Sequence, residues 1–141
     1  GPGGEDEPLI VLDASAAVEL LLKRQAYERL SEILLAPGEV LHAPHLMDVE
    51  VTQVLRRFEL SGLVSDARAA EALDDLRSLR LVHHGHTALL SRVWSMRHNV
   101  TAYDALYLAL AEALDAPLVT TDRKLAGSPG HEARVIVVDR E

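Results

Sequence analysis

The 141-residue sequence contains no cysteine. That absence removes a disulfide framework, a cysteine zinc site, an iron–sulfur cluster and a thiol nucleophile from consideration. No apolar run approaches the roughly 18–20 residues that span a bilayer, so no membrane contact is expected. A glycine-rich phosphate cradle of the P-loop or dinucleotide type is also missing. Positive charge is in deficit, with 14 Lys and Arg against 22 Asp and Glu and a net charge of −8. Proteins that wrap duplex DNA electrostatically show the opposite balance, whereas carboxylates that hold divalent cations tolerate an acidic total. Residues 1–8 lack the basic and apolar regions of a signal peptide. Gly1 to Gly4 read as the remnant of a cleaved expression tag, within an N-terminal extension. The expected location is the cytoplasm.

What is present is ordinary globular material, 48% apolar and 26% charged, enough for one domain over residues 9–141. Leu9 to Leu12 is an unbroken apolar run and predicts a strand buried on both faces. Ser15 is placed to cap an Ala, Val and Leu-rich helix. A second helix is expected from Ala26 to Leu35, stopped by Pro37 and Gly38, and a strand at Val40 to His42. From His45 to Leu60, the spacing of Met47, Val51, Val54, Leu55 and Phe58 makes one apolar helical stripe. Ser65 or Asp66 begins a helix to Leu79, Leu81 to His83 is a weak strand, and Thr87 to His98 another helix. Ala102 to Leu114 is apolar nearly all round and reads as a central buried helix. Leu118 to Thr120 and Val135 to Val138 are short β-branched strands. Strands alternating with helices specify an α/β fold, a short parallel β-sheet with helices on both faces.

In such a sheet, ligands bind outside the carboxyl ends of the strands. Asp13 directly follows the first strand and Asp122 the Leu118–Thr120 strand, so both carboxylates belong on one edge. Asp104 opens the buried helix, where a negative charge suits the helix dipole. The long helix offers both Asp48 and Glu50, on opposite flanks of its stripe, and geometry permits either at the core edge. Converging carboxylates repel unless protons or cations intervene. Acidic oxygens without cysteine suit Mg²⁺ or Mn²⁺, and such a site activates water against a phosphodiester.

Val11-Leu12-Asp13-Ala14-Ser15, Ala43-Pro44 followed by Glu50, Thr101-Ala102-Tyr103-Asp104-Ala105, and Thr120-Thr121-Asp122-Arg123-Lys124-Leu125 stand in order. Together these motifs resemble the PIN-domain ribonucleases, and among them the VapC toxins of toxin–antitoxin pairs. The likeness runs from Leu9 to Asp139. It implies a three-layer PIN-like fold and a Mg²⁺-dependent endoribonuclease toxin, with Mn²⁺ able to substitute. It carries the catalytic and metal-holding roles onto Asp13, Glu50, Asp104 and Asp122, choosing Glu50 over Asp48. Supporting polar roles fall on Ser15 and Thr121. The partners it implies are an RNA substrate, a cognate antitoxin protein and a second copy of the chain in a homodimer. Arg123 and Lys124, beside Asp122, are candidates for the RNA backbone.

Each motif residue also has a plainer reading. Asp13 and Asp122 follow strands and precede helices, where Asp commonly caps. Thr101 and Asp104 have capping-box spacing, and Glu50 fits a solvated helix acid. His83, His84 and His86, joined by His42 and His45, lack helical ligand spacing and read as a solvated loop rather than a metal site. Trp94 and Met96 read as core or interface, and Arg56 and Arg57 as a solvated helix face within reach of phosphates. Two rivals stand beside the nuclease: a non-catalytic PIN-fold interaction module and another phosphoryl-transfer α/β domain. An aspartyl-phosphate phosphatase wants a second Asp where Ser15 stands, and a receiver domain wants acids paired at the first strand.

Overall fold

Strand β1 (Leu9–Leu12) is buried along its last three residues, as an unbroken apolar run requires. It is the central strand of the sheet in a computed structural model that describes residues 9–140. The expected N-terminal extension over residues 1–8 lies outside the described residues. The other strands are β2 (Val40–Pro44), β3 (Leu81–His84), β4 (Leu118–Thr120) and β5 (Val135–Val137). They lie in the order β3-β2-β1-β4-β5 and every neighbouring pair is parallel. The chain steps outward from β1 to β2 and β3, then returns to the other side of β1 to lay down β4 and β5. Its topological switch point therefore lies between β1 and β4, where Val11 pairs with Leu118 and Leu12 with Val119.

Helices α1 (Ala14–Leu21), α2 (Tyr27–Leu34), α3 (Leu46–Leu60), α4 (Asp66–Ser78), α5 (Leu90–Ser95), α6 (Ala102–Leu114) and α7 (Arg123–Gly127) connect these strands. This is the expected three-layer α/β arrangement. Helix α6 packs on β1, β2 and β4 and is buried continuously from Ala105 to Ala111, which accounts for its apolar circumference. Leu12, Leu108, Leu118, Val11 and Val119 form the centre of the core. No helix among the described residues is long and apolar enough to cross a membrane.

Three local expectations need correction. Asp13, not Ser15, is the N-cap of α1, and its carboxylate accepts from the Ala16 backbone N–H. The helix expected over Thr87 to His98 divides into a 3₁₀ turn at Thr87–Leu89 and the short α5, followed by turns through Asn99. There Met96 dives into the core and its carbonyl accepts from both Asn99 and Val100, ending the helix. The strand expected over Leu81 to His83 forms and runs one residue further, with His84, read as loop, pairing with Pro44.

Candidate functional site

Four chain segments deliver acids to one edge of the sheet. Asp13 leaves the end of β1, and Asp122 lies two residues past the end of β4. Glu50 sits in the second turn of α3, which starts directly after β2, and Asp104 in the first turn of α6. Helices of an α/β unit run opposite to the strands, so the starts of α3 and α6 face the same edge as the ends of β1 and β4.

Asp13 is 8% exposed and bound on both carboxylate oxygens. Ser15 Oγ donates to Oδ1 at 2.7 Å and the Ala16 N–H at 3.0 Å, while Thr120 Oγ1 donates to Oδ2 at 2.5 Å. The two hydroxyls accept in turn: Ser15 Oγ from the Thr121 N–H at 3.1 Å and Thr120 Oγ1 from the Asp122 N–H at 3.0 Å. Each hydroxyl has one proton, already committed to Asp13, so the 3.3 Å approach between Ser15 and Thr120 is a contact and not a further hydrogen bond. This lattice stitches the end of β1 to the end of β4. Burial raises the Asp13 pKa above its ordinary 3.8, the three hydrogen bonds oppose that rise, and the Asp122 charge adds to it.

Asp104 is half-buried. Its pKa is raised by burial first, then by the charges of Asp122, Asp13 and Glu50. Those causes place the other three predicted acids within electrostatic reach of Asp104. Thr101 Oγ1 accepts from the Asp104 N–H at 3.1 Å, which is one arm of a capping box. The other arm is absent: among the described residues the Asp104 carboxylate accepts no hydrogen bond. Asp122 does cap, with Oδ1 accepting from the Lys124 N–H at 2.9 Å at the start of α7. For Asp13 and Asp122, capping and membership of the acidic edge are thus compatible.

Glu50 accepts from the Tyr107 hydroxyl at 2.5 Å. Burial and that hydrogen bond push the Tyr107 phenol far above its ordinary pKa, so it stays a donor. Asp48 turns to the other side of α3 and pairs with His83 Nε2 at 3.0 Å. The pull of His83 separates the two acids that helix geometry left open. Three further histidines follow this edge of β2 and β3: His42 Nδ1 lies 2.8 Å from His84 Nε2, and His45 stacks on His83. Burial, then the charges of His45 and His83, lower the His84 pKa. Among the described residues, no group of three or more histidines or acids already stands at metal-holding spacing.

The other predicted residues scatter. Arg123 is drawn into an ion pair with Asp139 at 2.7 Å, and Lys124 is exposed. Thr121 is buried, but its hydroxyl accepts from Arg140 at 3.1 Å, and it is the neighbouring Thr120 hydroxyl that reaches Asp13. Trp94 is 67% exposed with Arg97 over its ring, while Met96 is core. Sequence reasoning missed Thr120 and Tyr107. Tyr107 had a signal, standing three residues after Asp104 and hence on the same face of α6. It also missed Glu19 and Arg140, whose meeting depends on the course of the last residues past β5.

The family model for the PIN domain matches residues 10–127. Ribonuclease VapC1 of Mycobacterium tuberculosis is 43% identical over 129 residues, covering 91% of this chain and 96% of that one. Ribonuclease VapC9 of the same species is 38% identical over 132 residues, covering 94% and 100%. The crystal structure of VapBC2 from Rickettsia felis, bound to a DNA fragment from its promoter, shares the fold with a TM-score of 0.67. Its sequence identity is 18%, over 93% of this chain and 99% of that one.

Proposed function

The chain belongs to the PIN domain family, among the VapC ribonucleases of toxin–antitoxin systems, and on that premise we propose a divalent-cation-dependent endoribonuclease acting at Asp13, Glu50, Asp104 and Asp122. The observation that carries this reading is the charge at the edge, where Asp104 is held against three other acids with no donor to its carboxylate among the described residues. Folding tolerates such an arrangement poorly unless a cation offsets it. The donor chemistry fits Mg²⁺ or Mn²⁺, since every acid offers hard oxygen. Mg²⁺ commonly keeps several waters and binds through one or two carboxylates together with substrate phosphates, so a ready-made protein cage is not required. When bound there, the cation would supply water activation and charge neutralisation at the phosphorus.

The chain's own contributions follow from the hydrogen bonds. Ser15 and Thr120 fix both oxygens of Asp13, so that acid cannot swing away from its neighbours. Tyr107 holds Glu50 towards the edge. The cognate antitoxin and a homodimer belong to the same reading, and light scattering with and without a co-expressed antitoxin reports on both.

The test is cleavage mapping across total cellular RNA with wild type and Asp13→Asn. Asn also caps helices, so the variant retains the start of α1. Mg²⁺ or Mn²⁺ is expected to support cleavage by wild type alone, and Ca²⁺, with its looser shell, to support it poorly. Undiminished cleavage in excess EDTA would overturn the cation dependence, and equal cleavage by Asp13→Asn would overturn the site.

A further inference from the structure

Beside the acidic edge, on the far side of Ser15, α1 and α3 enclose a cavity of about 230 Å³. Ser15, Glu19, Arg24, Arg57, Phe58 and Arg140 line it. We propose that this cavity binds a phosphate of the RNA strand next to the one that is cut, making it a substrate subsite of the nuclease described above, on which the inference rests.

The charge balance of the cavity is the first reason. Three guanidinium groups face one carboxylate, a local excess of positive charge in a chain whose total is −8. Glu19 does not cancel the arginines so much as fix them. It is 4% exposed, with Oε1 2.9 Å from Arg140 Nε and Oε2 3.6 Å from Arg24 Nε. Burying that carboxylate is costly unless cations pair with it, so both arginines are held at the cavity. Oε2 receives no hydrogen bond among the described residues. Arg24 also lies over the Phe58 ring, 5.3 Å from its centre, which limits its freedom further.

Arg57 supplies the second reason. It lines the same cavity and has no acidic partner among the described residues. Arg29, Arg68, Arg77, Arg92 and Arg123 pair with acids close by, and Arg56, Arg80 and Arg97, which show no such pair among the described residues, do not line the cavity. A guanidinium beside a fixed cationic rim repels its neighbours unless an anion joins them, and the guanidinium fork matches phosphate geometry.

Position is the third. Arg140 Nη2 donates to Thr121 Oγ1, the Thr121 N–H donates to Ser15 Oγ, and Ser15 Oγ donates to Asp13. The cavity and the acidic edge thus share one wall and one chain of hydrogen bonds. An RNA strand brought to the acids meets repulsion from four carboxylates, and a neighbouring phosphate held by arginine offsets it. The earlier candidates Arg123 and Lys124 do not line this cavity, and Arg123 pairs with Asp139 instead.

The experiment measures binding of polyuridylate by wild type, Arg57→Gln and Arg140→Gln in EDTA, where cleavage is silent, across a series of salt concentrations. Losing one phosphate contact should lower the slope of log K against log salt by about one. Arg57→Gln is the decisive variant, because Arg57 holds no acidic partner among the described residues and its loss should leave the melting temperature unchanged. Inorganic pyrophosphate should compete with RNA for wild type and less effectively for Arg57→Gln. A substrate with one neutral methylphosphonate linkage beside the cleaved bond should cost wild type severalfold in kcat/KM and Arg57→Gln little. An unchanged salt slope and an unchanged methylphosphonate effect in Arg57→Gln would overturn the subsite while leaving the nuclease intact. If Arg57→Gln instead loses only its affinity for poly-glutamate, the cavity serves an acidic polypeptide and the proposal fails. A wild type that neither binds nor cuts RNA overturns both readings together.

Discussion

Asp104 shows how a single residue distinguishes a cap from a charged cluster. Its raised pKa means that the native state binds more protons than the unfolded state, so stability is lost as pH climbs from the ordinary 3.8 through the folded value. Asp104→Asn removes that loss while nearly preserving size. Urea melts in EDTA should therefore give a variant as stable as wild type or more so, with an advantage that widens as pH rises through this window. A variant weaker by the 0.3–1 kcal/mol of a lost capping charge (about the range for helix ends) would restore the plainer reading. Tyr107→Phe tests the neighbouring contact. It deletes the donor to Glu50 without leaving a buried polar orphan on the tyrosine side, and should cost about 0.5–1.5 kcal/mol in a thermal melt. RNA cleavage should fall in the same variant because Glu50 is then free to turn outward. At this scale the sequence was legible where a residue type and a strand end coincide, as at Asp13 and Asp122. Thr120 was not, since which of two adjacent threonines faces inward depends on the exit of β4, and Arg140 was not, because nothing local links it to Glu19.

Helix α6 binds the site to the core, and its two ends are held differently. Leu108, fully buried in its middle, should cost about 2–5 kcal/mol when truncated to Ala, read by urea denaturation. Near its end Glu112 receives Arg92 Nε at 2.7 Å and Nη2 at 2.9 Å, together with the Glu132 N–H at 2.7 Å. The Arg92 hydrogen bond chiefly lowers the Glu112 pKa below its ordinary 4.5. This contribution is present above that value and lost as pH falls through the folded pKa. Glu112→Gln should cost about 1 kcal/mol at neutral pH, a figure discounted because Arg92 is partly exposed. The cost should vanish in acid, as paired urea melts at the two pH values would show. Strong periodicity made α3 and α6 readable from the sequence. The stretch after Gly85 was not readable, since Met96 docks in the core and ends α5 where a uniform helical pattern continues. The start of α1 was misassigned because Asp13 and Ser15 are both good caps, and only the φ/ψ of the chain selects between them.

The whole molecule carries an excess of eight negative charges, with at least four acids drawn to one edge. A divalent cation bound there prefers the native state and should raise the melting temperature as its concentration passes Kd. Calorimetry in millimolar Mn²⁺ or Mg²⁺ should show that shift for wild type and a smaller one for Asp104→Asn. No shift for wild type would speak against the site as a cation holder. The parallel α/β class was legible from strands spaced by helices, and the sheet order was not, because register depends on contacts between distant segments.

That same order has a bearing on how the protein comes into being. Asp13 and the Thr120 hydroxyl that holds it are separated by 107 positions, and β4 joins the centre of the sheet by pairing with β1 across that span. Long-range parallel pairing of this kind forms late and slowly. A nascent chain emerging from the ribosome therefore presents Asp13 long before Asp104 or Asp122 exist to join it. Everything from Asp13 to Asp122 must be translated before the edge can assemble. On the reading proposed above, such a chain gains its cutting edge only after Asp122 has left the ribosome and β4 has docked beside β1.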